Sequence, residues 1–102
     1  MIVRMWRGRV HTEKVAEYIE IVERTGMAGY RRTPGNAGAQ LLTRDLGNGS
    51  TELVTLSWWD SLDDIKAFAG EDIDIAKYYP EDDEYLVARD ATVAHFVVAP
   101  PR

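Results

Sequence analysis

The sequence predicts an α+β fold in the order β-α-β-β-α-β, the ferredoxin-like split βαβ arrangement. In this fold a four-stranded antiparallel sheet has both helices on one face. Alternating residues near both ends of the chain predict strands, and two amphipathic segments predict helices. A Gly-Asn-Gly turn joins two β-rich runs in the middle. At 102 residues the chain is expected to form a single domain, residues 1–102.

The composition is that of a folded protein without thiol chemistry. Hydrophobic residues make up 45% of the chain and charged residues 28%, which is ordinary for a globular domain. There is no cysteine, which excludes disulfides, cysteine-ligated zinc and a thiol nucleophile. Because this fits a reducing compartment, we expect a cytoplasmic protein.

Charge and hydropathy argue against two classes of partner. The formal net charge is −5, and a field of this sign repels phosphate backbones, so no nucleic-acid partner is expected. No apolar stretch reaches the roughly 18 residues of a membrane helix, so no membrane association is expected. Small neutral or aromatic ligands remain open.

The first strand is predicted over residues 2–10, where apolar Val3 and Met5 alternate with Arg4 and Trp6. An amphipathic helix follows. Its apolar residues recur at i, i+3, i+4 and i+7; they are Val15, Tyr18, Ile19 and Val22. Pro34-Gly35 ends this helical region.

Two β-rich runs, residues 37–46 and 50–59, are predicted to form a hairpin with a two-residue loop, either Asn48-Gly49 or Gly47-Asn48. With the first loop, Leu41 lies opposite Leu56 and one face is apolar. That face is expected to form the core; its members are Ala39, Leu41, Thr43, Val54, Leu56 and Trp58. The other face then contains Gln40, Leu42, Arg44, Leu53, Thr55 and Ser57.

The second helix is predicted from a capping-box-like pair, Ser61 with Asp64, to a C-terminal Gly70. Its buried stripe is expected to be Leu62, Ile65, Phe68 and Ala69. Residues 71–77 are expected to add a helical turn or two, and Pro80 to begin a short helix through Leu86. Tyr78 and Tyr79 form either a lid or a packed connector. A final strand is predicted over residues 89–99, with a short tail after Pro100 and Pro101.

One face of the predicted sheet has no helix to cover it. We expect it to contain Arg4, Trp6, Leu53, Thr55, Val93, His95 and Val97. A face this apolar is not expected to remain exposed, so a partner or a ligand should cover it. A chain this small would also benefit from self-association.

Several stretches of the sequence resemble the antibiotic biosynthesis monooxygenase (ABM) family of dimeric α+β barrels. They are Arg4-Met5-Trp6-Arg7-Gly8, Thr55-Leu56-Ser57-Trp58-Trp59-Asp60-Ser61-Leu62, Phe68-Ala69-Gly70 and Ala94-His95-Phe96. The resemblance implies a dimer in which two sheets pack face to face around an interior. It also implies that any activity belongs to a cavity in that interior.

The resemblance implies several possible activities. Some members oxidise aromatic polyketides with molecular oxygen and no cofactor, and some degrade haem. The haem-degrading pattern needs an Asn on the first strand and a His on a later helix. The first strand here has Arg4 and Trp6 instead, and residues 71–86 contain no His. Haem degradation is therefore disfavoured.

For a cofactor-independent monooxygenase, the pocket must hold an electron-rich phenol, take its proton and stabilise the anion. His95 is the candidate base, and Arg4 the candidate contact for the phenolate. Candidate substrate-binding residues are Trp6, Thr55, Ser57, Trp59 and Tyr79. The two histidines have no third ligand beside them, so no metal site is expected, and no cofactor.

The same residues also have structural interpretations. His95 can be a hydrogen-bonded residue of its strand, and Arg4 can form an ion pair with Glu52 or Asp90. Trp58 is expected in the core, whereas Trp59 is expected at the dimer interface or at the rim of a pocket. A non-catalytic domain that binds a small ligand, or a purely structural dimer, therefore remains the alternative to an enzyme.

Overall fold

The computed structural model describes residues 1–100, and the end of the predicted tail at Pro101 lies outside them. Five strands form one antiparallel sheet: β1 Ile2–His11, β2 Asn36–Asp45, β3 Ser50–Trp59, β4 Leu86–Arg89 and β5 Ala94–Val97. Four helices accompany it: α1 Val15–Val22, α2 Ala28–Arg32, α3 Leu62–Ala69 and α4 Asp82–Tyr85. This is the predicted ferredoxin-like fold, with the helices on one face.

The predicted last strand is divided in two. The sheet order is β2-β3-β1-β4, and β5 pairs with the other half of β1. Between β4 and β5 the chain pairs instead with the connector, residues 71–81 between α3 and α4: Ala76 N–H donates to Ala91 O at 3.0 Å and Val93 N–H to Asp74 O at 2.9 Å. Because the connector takes these backbone groups, the sheet has five strands where four were expected.

The hairpin between β2 and β3 has a three-residue loop, Gly47-Asn48-Gly49, so both predicted two-residue loops are wrong. Leu46 N–H donates to Ser50 O at 2.9 Å across its base. Both glycines have positive φ, +83° and +84°, which side chains other than glycine rarely adopt. Asp45 therefore faces Thr51, whereas an Asn48-Gly49 loop would have placed it opposite Glu52, an unfavourable pair of like charges.

This register changes which residues share a face. Leu41 lies opposite Thr55, not opposite Leu56. Within β3 the residues under the helices are Thr51, Leu53, Thr55, Ser57 and Trp59, all of them buried.

The helices cover the face that was expected to be open. Trp59 and Leu53 are fully buried under them, whereas Trp58 and Leu56 are only partly buried on the other side. The prediction that Trp58 and Leu56 form the core is wrong, as is the prediction that the Arg4 face is uncovered. We call the uncovered side the open face; its apolar members include Val3, Met5, Leu42, Val54, Leu56, Trp58 and Phe96.

Hydrogen bonds explain how the less apolar face comes to be covered. Tyr30 Oη and Thr55 Oγ1 are 2.9 Å apart, and Trp59 Nε1–H donates to Ser57 Oγ at 2.8 Å. A buried polar group is tolerated when it is paired in this way. Apolar content alone therefore does not identify the covered face of this sheet.

The first helical region is longer and less regular than the predicted amphipathic helix. A 3₁₀ turn at Thr12–Lys14 precedes α1, and a π turn at Glu23–Met27 joins α1 to α2. The region ends at Arg32, just before Pro34, as predicted. Its buried residues are Tyr18, Ile21, Val22, Met27 and Tyr30.

Helix α3 has the predicted ends. Ser61 Oγ accepts from Asp64 N–H at 3.3 Å, and Gly70 has a φ of +94°. Ile65 and Phe68 are buried as predicted, but Leu62 is 48% exposed. Leu62 is therefore not part of the core. Residues 71–81 form an irregular connector, not the expected helical turns, and α4 begins shortly after Pro80.

Truncation of a buried leucine and of a half-exposed leucine tests the assignment of the core. Leu53→Ala should lower the free energy of unfolding by about 2–5 kcal/mol, because it leaves a cavity in the core. Leu62→Ala, the same change at a half-exposed site, should cost less than about 1 kcal/mol. Urea unfolding followed by circular dichroism measures both, and equal losses would contradict this assignment of the core.

Candidate functional site

A cavity lies between the helices and the sheet, on the covered face and not on the open face where the predicted interior would be. The space that the centre of a water molecule can occupy in it is about 30 Å³, and the whole hollow, with the open solvent at its mouth, measures about 400 Å³. Aromatic rings form much of its wall: Trp6, Tyr18, Tyr30, Phe68 and Tyr79. The polar lining residues are Arg4, Thr25, Thr55, Lys77 and Asp82. The cavity is thus narrow, aromatic and charged.

Arg4 occupies the middle of β1 and is only 2% exposed. Its Nη1 donates to Ile73 O and lies 3.0 Å from His95 Nε2, and its Nη2 donates to Ile75 O at 3.3 Å. The Nε atom is buried and has no hydrogen-bond partner among the described residues. The guanidinium therefore ties β1 to the connector and still has unused donors.

Within residues 1–100, no carboxylate forms a direct ion pair with the Arg4 guanidinium. Neither predicted ion pair forms, because Glu52 pairs with Arg44 at 3.0 Å and Asp90 with Arg7 at 3.4 Å. Burial lowers the pKa of Arg4, while Tyr30 and Asp74 oppose that shift. Arginine remains protonated even so. The wall of the cavity therefore contains a buried positive charge that no side chain of the described residues pairs.

His95 lies behind Arg4, outside the cavity lining. Because a guanidinium can only donate, His95 Nε2 accepts from Arg4 and is unprotonated. Its Nδ1 lies 3.2 Å from Asp74 Oδ1 and donates to it. Burial, and secondarily Arg4, lowers the pKa of His95, although Asp74 acts in the opposite direction. His95 is thus neutral and holds the guanidinium in place.

The opposite side of the cavity contains an acid that the sequence pattern did not indicate. Asp82 is 5% exposed. Its carboxylate accepts hydrogen bonds from Tyr18 Oη–H at 2.8 Å and from Tyr79 N–H at 2.8 Å. Burial, with the hydrogen bond to Asp82, strongly raises the pKa of Tyr18. These two bonds leave lone pairs on the carboxylate unused.

Lys77 is the second cation of the cavity. Its Nζ donates to Phe68 O at 3.2 Å and lies 4.8 Å from the centroid of the Phe68 ring. The Arg4 guanidinium is 5.9 Å from the same ring centroid. Two cations therefore flank one aromatic side chain of the wall.

The connector closes the cavity through hydrogen bonds to the sheet. Trp6 Nε1–H donates to Tyr78 Oη at 3.0 Å, and Tyr78 Oη–H donates to Asp90 O. Tyr79 lines the cavity and Tyr78 fastens the connector beside it, so the two tyrosines have separate roles. On the helix side, the π turn contributes Thr25 and Gly26 to the lining; such turns are frequent at functional sites.

The structure brings four of the predicted site residues to the cavity wall: Arg4, Trp6, Thr55 and Tyr79. Ser57 and Trp59 are fully buried next to it on the same face of the sheet and bond to each other. The lining residues that sequence reasoning missed as site residues include Tyr18, Tyr30, Lys77 and Asp82. Tyr18 was identifiable only as part of an apolar stripe, and Asp82 only as one of a run of acids.

Across residues 1–100, no group of three or more His, Asp or Glu side chains is placed to hold a metal ion. No helix within the same residues has the length and apolar character to cross a membrane.

The structure is a ferredoxin-like α+β domain with a cavity between its helices and its sheet. The sequence identifies the family to which this domain belongs. The family pattern "Antibiotic biosynthesis monooxygenase" matches residues 1–73. The chain therefore belongs to the ABM family. No curated protein matches the sequence significantly.

Solved structures support the fold. A Bacillus cereus protein with the antibiotic biosynthesis monooxygenase name has a TM-score of 0.69 at 16% identity, covering 99% of this chain and 95% of its own. A NIPSNAP domain protein of Burkholderia xenovorans gives 0.64 at 22%, covering 97% and 95%. The haem degrader MhuD of Mycobacterium tuberculosis, with two haems in its active site, gives 0.57 at 19%, covering 100% and 99%. Identities this low show a shared fold only.

The contact between His95 and Arg4 predicts a pH-dependent loss of stability. The pKa of His95 is lowered in the folded state, so stability is fully present above its unfolded pKa of about 6.5 and is lost as the pH falls through the lower folded value. His95→Gln should remove this dependence. Urea unfolding at a series of pH values measures it, with the exposed His11→Gln as matched control. An unchanged pH slope in His95→Gln would contradict the prediction.

Proposed function

We propose that the protein is a cofactor-independent monooxygenase that oxidises a small aromatic substrate in the cavity between helices and sheet. The observation that supports this most strongly is the buried, unpaired charge of Arg4 in an aromatic-walled cavity. A phenol becomes able to reduce oxygen when it loses its proton, and a fixed cation stabilises the resulting phenolate. With molecular oxygen as co-reactant, a phenol then gives a quinone and water.

The roles of the side chains follow from their contacts. Arg4 and Lys77 supply the positive charge, and Trp6 and Tyr79 contact the aromatic ring. Asp82 is the proton acceptor in this proposal, because it lines the cavity and retains free lone pairs. His95, whose Nε2 is occupied by Arg4, is a positioning residue and not the base first expected.

Oxygen consumption with 1-naphthol, which would yield 1,4-naphthoquinone and water, tests this activity. The wild-type protein without added cofactor should consume oxygen faster than the uncatalysed reaction. Arg4→Gln should lower kcat by about 100-fold, the usual effect of losing one group that stabilises a developing oxyanion. Arg9→Gln, on the same strand but exposed on the opposite face, is the matched control.

Isotope labelling and ligand binding distinguish a monooxygenase from a ligand-binding domain and from a haem-degrading enzyme. With oxygen-18 gas, one labelled atom should enter the quinone. Folded protein that binds 1-naphthol without consuming oxygen would favour the alternative, a non-catalytic ligand-binding domain. Tight binding of haem, followed by loss of its Soret band, would favour haem degradation and contradict the proposal.

We further propose that the chain forms a homodimer through the open face. Phe96 is 50% exposed and Leu42 44% exposed on that side of the sheet, beside the partly buried Leu56 and Trp58. An apolar patch of this kind is typical of an interaction surface. The dimers implied by the ABM resemblance pack their sheets in this way.

Sedimentation at micromolar concentration tests the dimer. The wild-type chain should sediment as a dimer, and Leu56→Glu should be monomeric because it places a charge in the centre of the open face. Leu62→Glu, on the exposed side of α3, is the matched control and should remain dimeric. A wild-type chain that is monomeric at this concentration would contradict the proposal.

A further inference from the structure

We propose that the connector, residues 71–81, is a lid over the cavity and that protonation of His95 releases it. The structure shows the closed form, in which the centre of a water molecule can occupy about 30 Å³ of the cavity. This is room for about one or two water molecules. A molecule with an aromatic ring does not fit, so a wall must move before such a ring can enter.

The connector is the wall that can move with the least loss of packing. It contains no helix or strand, and Ala76 is its one buried residue. Ile75 is 50% exposed. Lys77 and Tyr79 line the cavity, so a movement of the connector enlarges it. Segments with few buried apolar contacts open at a lower free energy than the core of a fold. The connector can therefore leave the cavity while the sheet stays paired.

Polar contacts to three consecutive residues keep the connector closed. Arg4 donates to Ile73 O and to Ile75 O, and His95 Nδ1–H donates to Asp74 Oδ1 at 3.2 Å. The two side chains that make these contacts also touch each other, since Arg4 Nη1 lies 3.0 Å from His95 Nε2. We call these five residues the latch. The closed form thus depends on a histidine that accepts from a guanidinium.

Protonation of His95 is incompatible with the latch. A guanidinium can only donate, so Nε2 must accept. An imidazolium would place a second donor and a second positive charge 3.0 Å from Arg4 Nη1. Asp74 favours the imidazolium, but its side chain is 70% exposed, and water screens its charge. The closed connector therefore disfavours the protonated histidine.

The direction of the pH effect follows from the groups around His95. Arg4 of β1 and Asp74 of the connector are the charged groups that face it. Tyr30 of α2, near the guanidinium, is neutral because burial raises its pKa. Burial, and secondarily Arg4, lowers the pKa of His95 in the closed form, whereas the open form restores the ordinary pKa of about 6.5. The closed form is therefore fully favoured above about pH 6.5 and is lost as the pH falls through the lower value.

Thiol labelling tests the lid directly, because the chain has no cysteine. Ala76→Cys places one thiol at the buried position of the connector, and its reaction with dithiodipyridine measures its exposure. The rate for glutathione divided by the rate for this thiol gives a protection factor at each pH. This protection should fall about tenfold or more between about pH 7 and pH 5, because opening is linked to one proton. A constant protection factor over this range would overturn the proposal.

Substitutions in the latch identify the titrating group. His95→Gln can still accept from Arg4 and donate to Asp74 but does not titrate, so protection should no longer depend on pH. His11→Gln, the same change at an exposed histidine, should retain the dependence. Asp74→Asn keeps an acceptor for Nδ1–H and removes the charge that favours the imidazolium, so the midpoint should move to lower pH. A dependence that persists in His95→Gln, or a midpoint that stays in place in Asp74→Asn, would contradict the latch.

A second thiol distinguishes the opening of the lid from global unfolding. Val10→Cys places the reporter in the core, where the residue is fully buried, so only unfolding of the sheet exposes it. Its protection should exceed that of Ala76→Cys by about tenfold or more at every pH. Equal protection of the two thiols would show that the whole fold opens as one unit and would rule out a separate lid.

Amide exchange in the wild-type chain measures the same opening without a reporter. The amides of Ala76 and Val93 bond across the closed connector, to Ala91 O and Asp74 O. Their protection, followed by NMR and corrected for intrinsic exchange, should fall together as the pH falls. Protection equal to that of the amides between β1 and β3 at every pH would refute the lid. Neither measurement involves a substrate, so the result does not depend on the proposed oxygenase activity.

Discussion

The buried guanidinium of Arg4 is the interaction on which the cavity depends. It lies in the middle of β1 and binds Ile73 O and Ile75 O, two backbone carbonyls of the irregular connector. Together with the backbone pairing of Asp74 and Ala76 and the bond between Trp6 and Tyr78, these bonds hold residues 71–81 over the cavity. One side chain therefore both helps to place the connector and supplies the buried positive charge of the site. Burying that charge is costly, and the free energy that it costs must be offset by the surrounding fold.

The supporting contacts are arranged around this charge in a consistent way. His95 lies opposite Arg4 in the pairing of β1 with β5, which brings its ring nitrogen to the guanidinium. Asp74 fixes the tautomer of His95 from the connector. At the other end of the connector, Tyr78 forms a hydrogen bond with Trp6. Just beyond it, Asp82 of α4 forms a hydrogen bond with Tyr18. The connector is thus fastened to β1 and to α1 by polar side chains, which explains how it is ordered without regular secondary structure.

Several features of the site could be predicted from the sequence, because strand alternation alone relates them. Arg4 and Trp6 are two residues apart in one strand and therefore share a face, and Thr55 joins them in the neighbouring strand. Asp82 and Lys77 could not be predicted in this way. They lie in a segment with no periodic pattern, and acids in such a segment are usually solvated. Their positions depend on long-range contacts with Tyr18 and Phe68, which local sequence does not specify.

The sequence by itself determined the order of the elements, the ends of α3 and the family of the protein. The ends of α3 follow from local physics, because the cap at Ser61 and the positive φ of Gly70 require only neighbouring residues. The family follows from a resemblance in sequence. The tertiary structure decided which face of the sheet the helices cover and where the cavity lies. The apolar content of the two faces gave the wrong answer, because polar groups such as Thr55 and Ser57 are stable under the helices once Tyr30 and Trp59 bond them. The bond between Tyr30 and Thr55 forms only when distant segments meet, so only the folded chain reveals it.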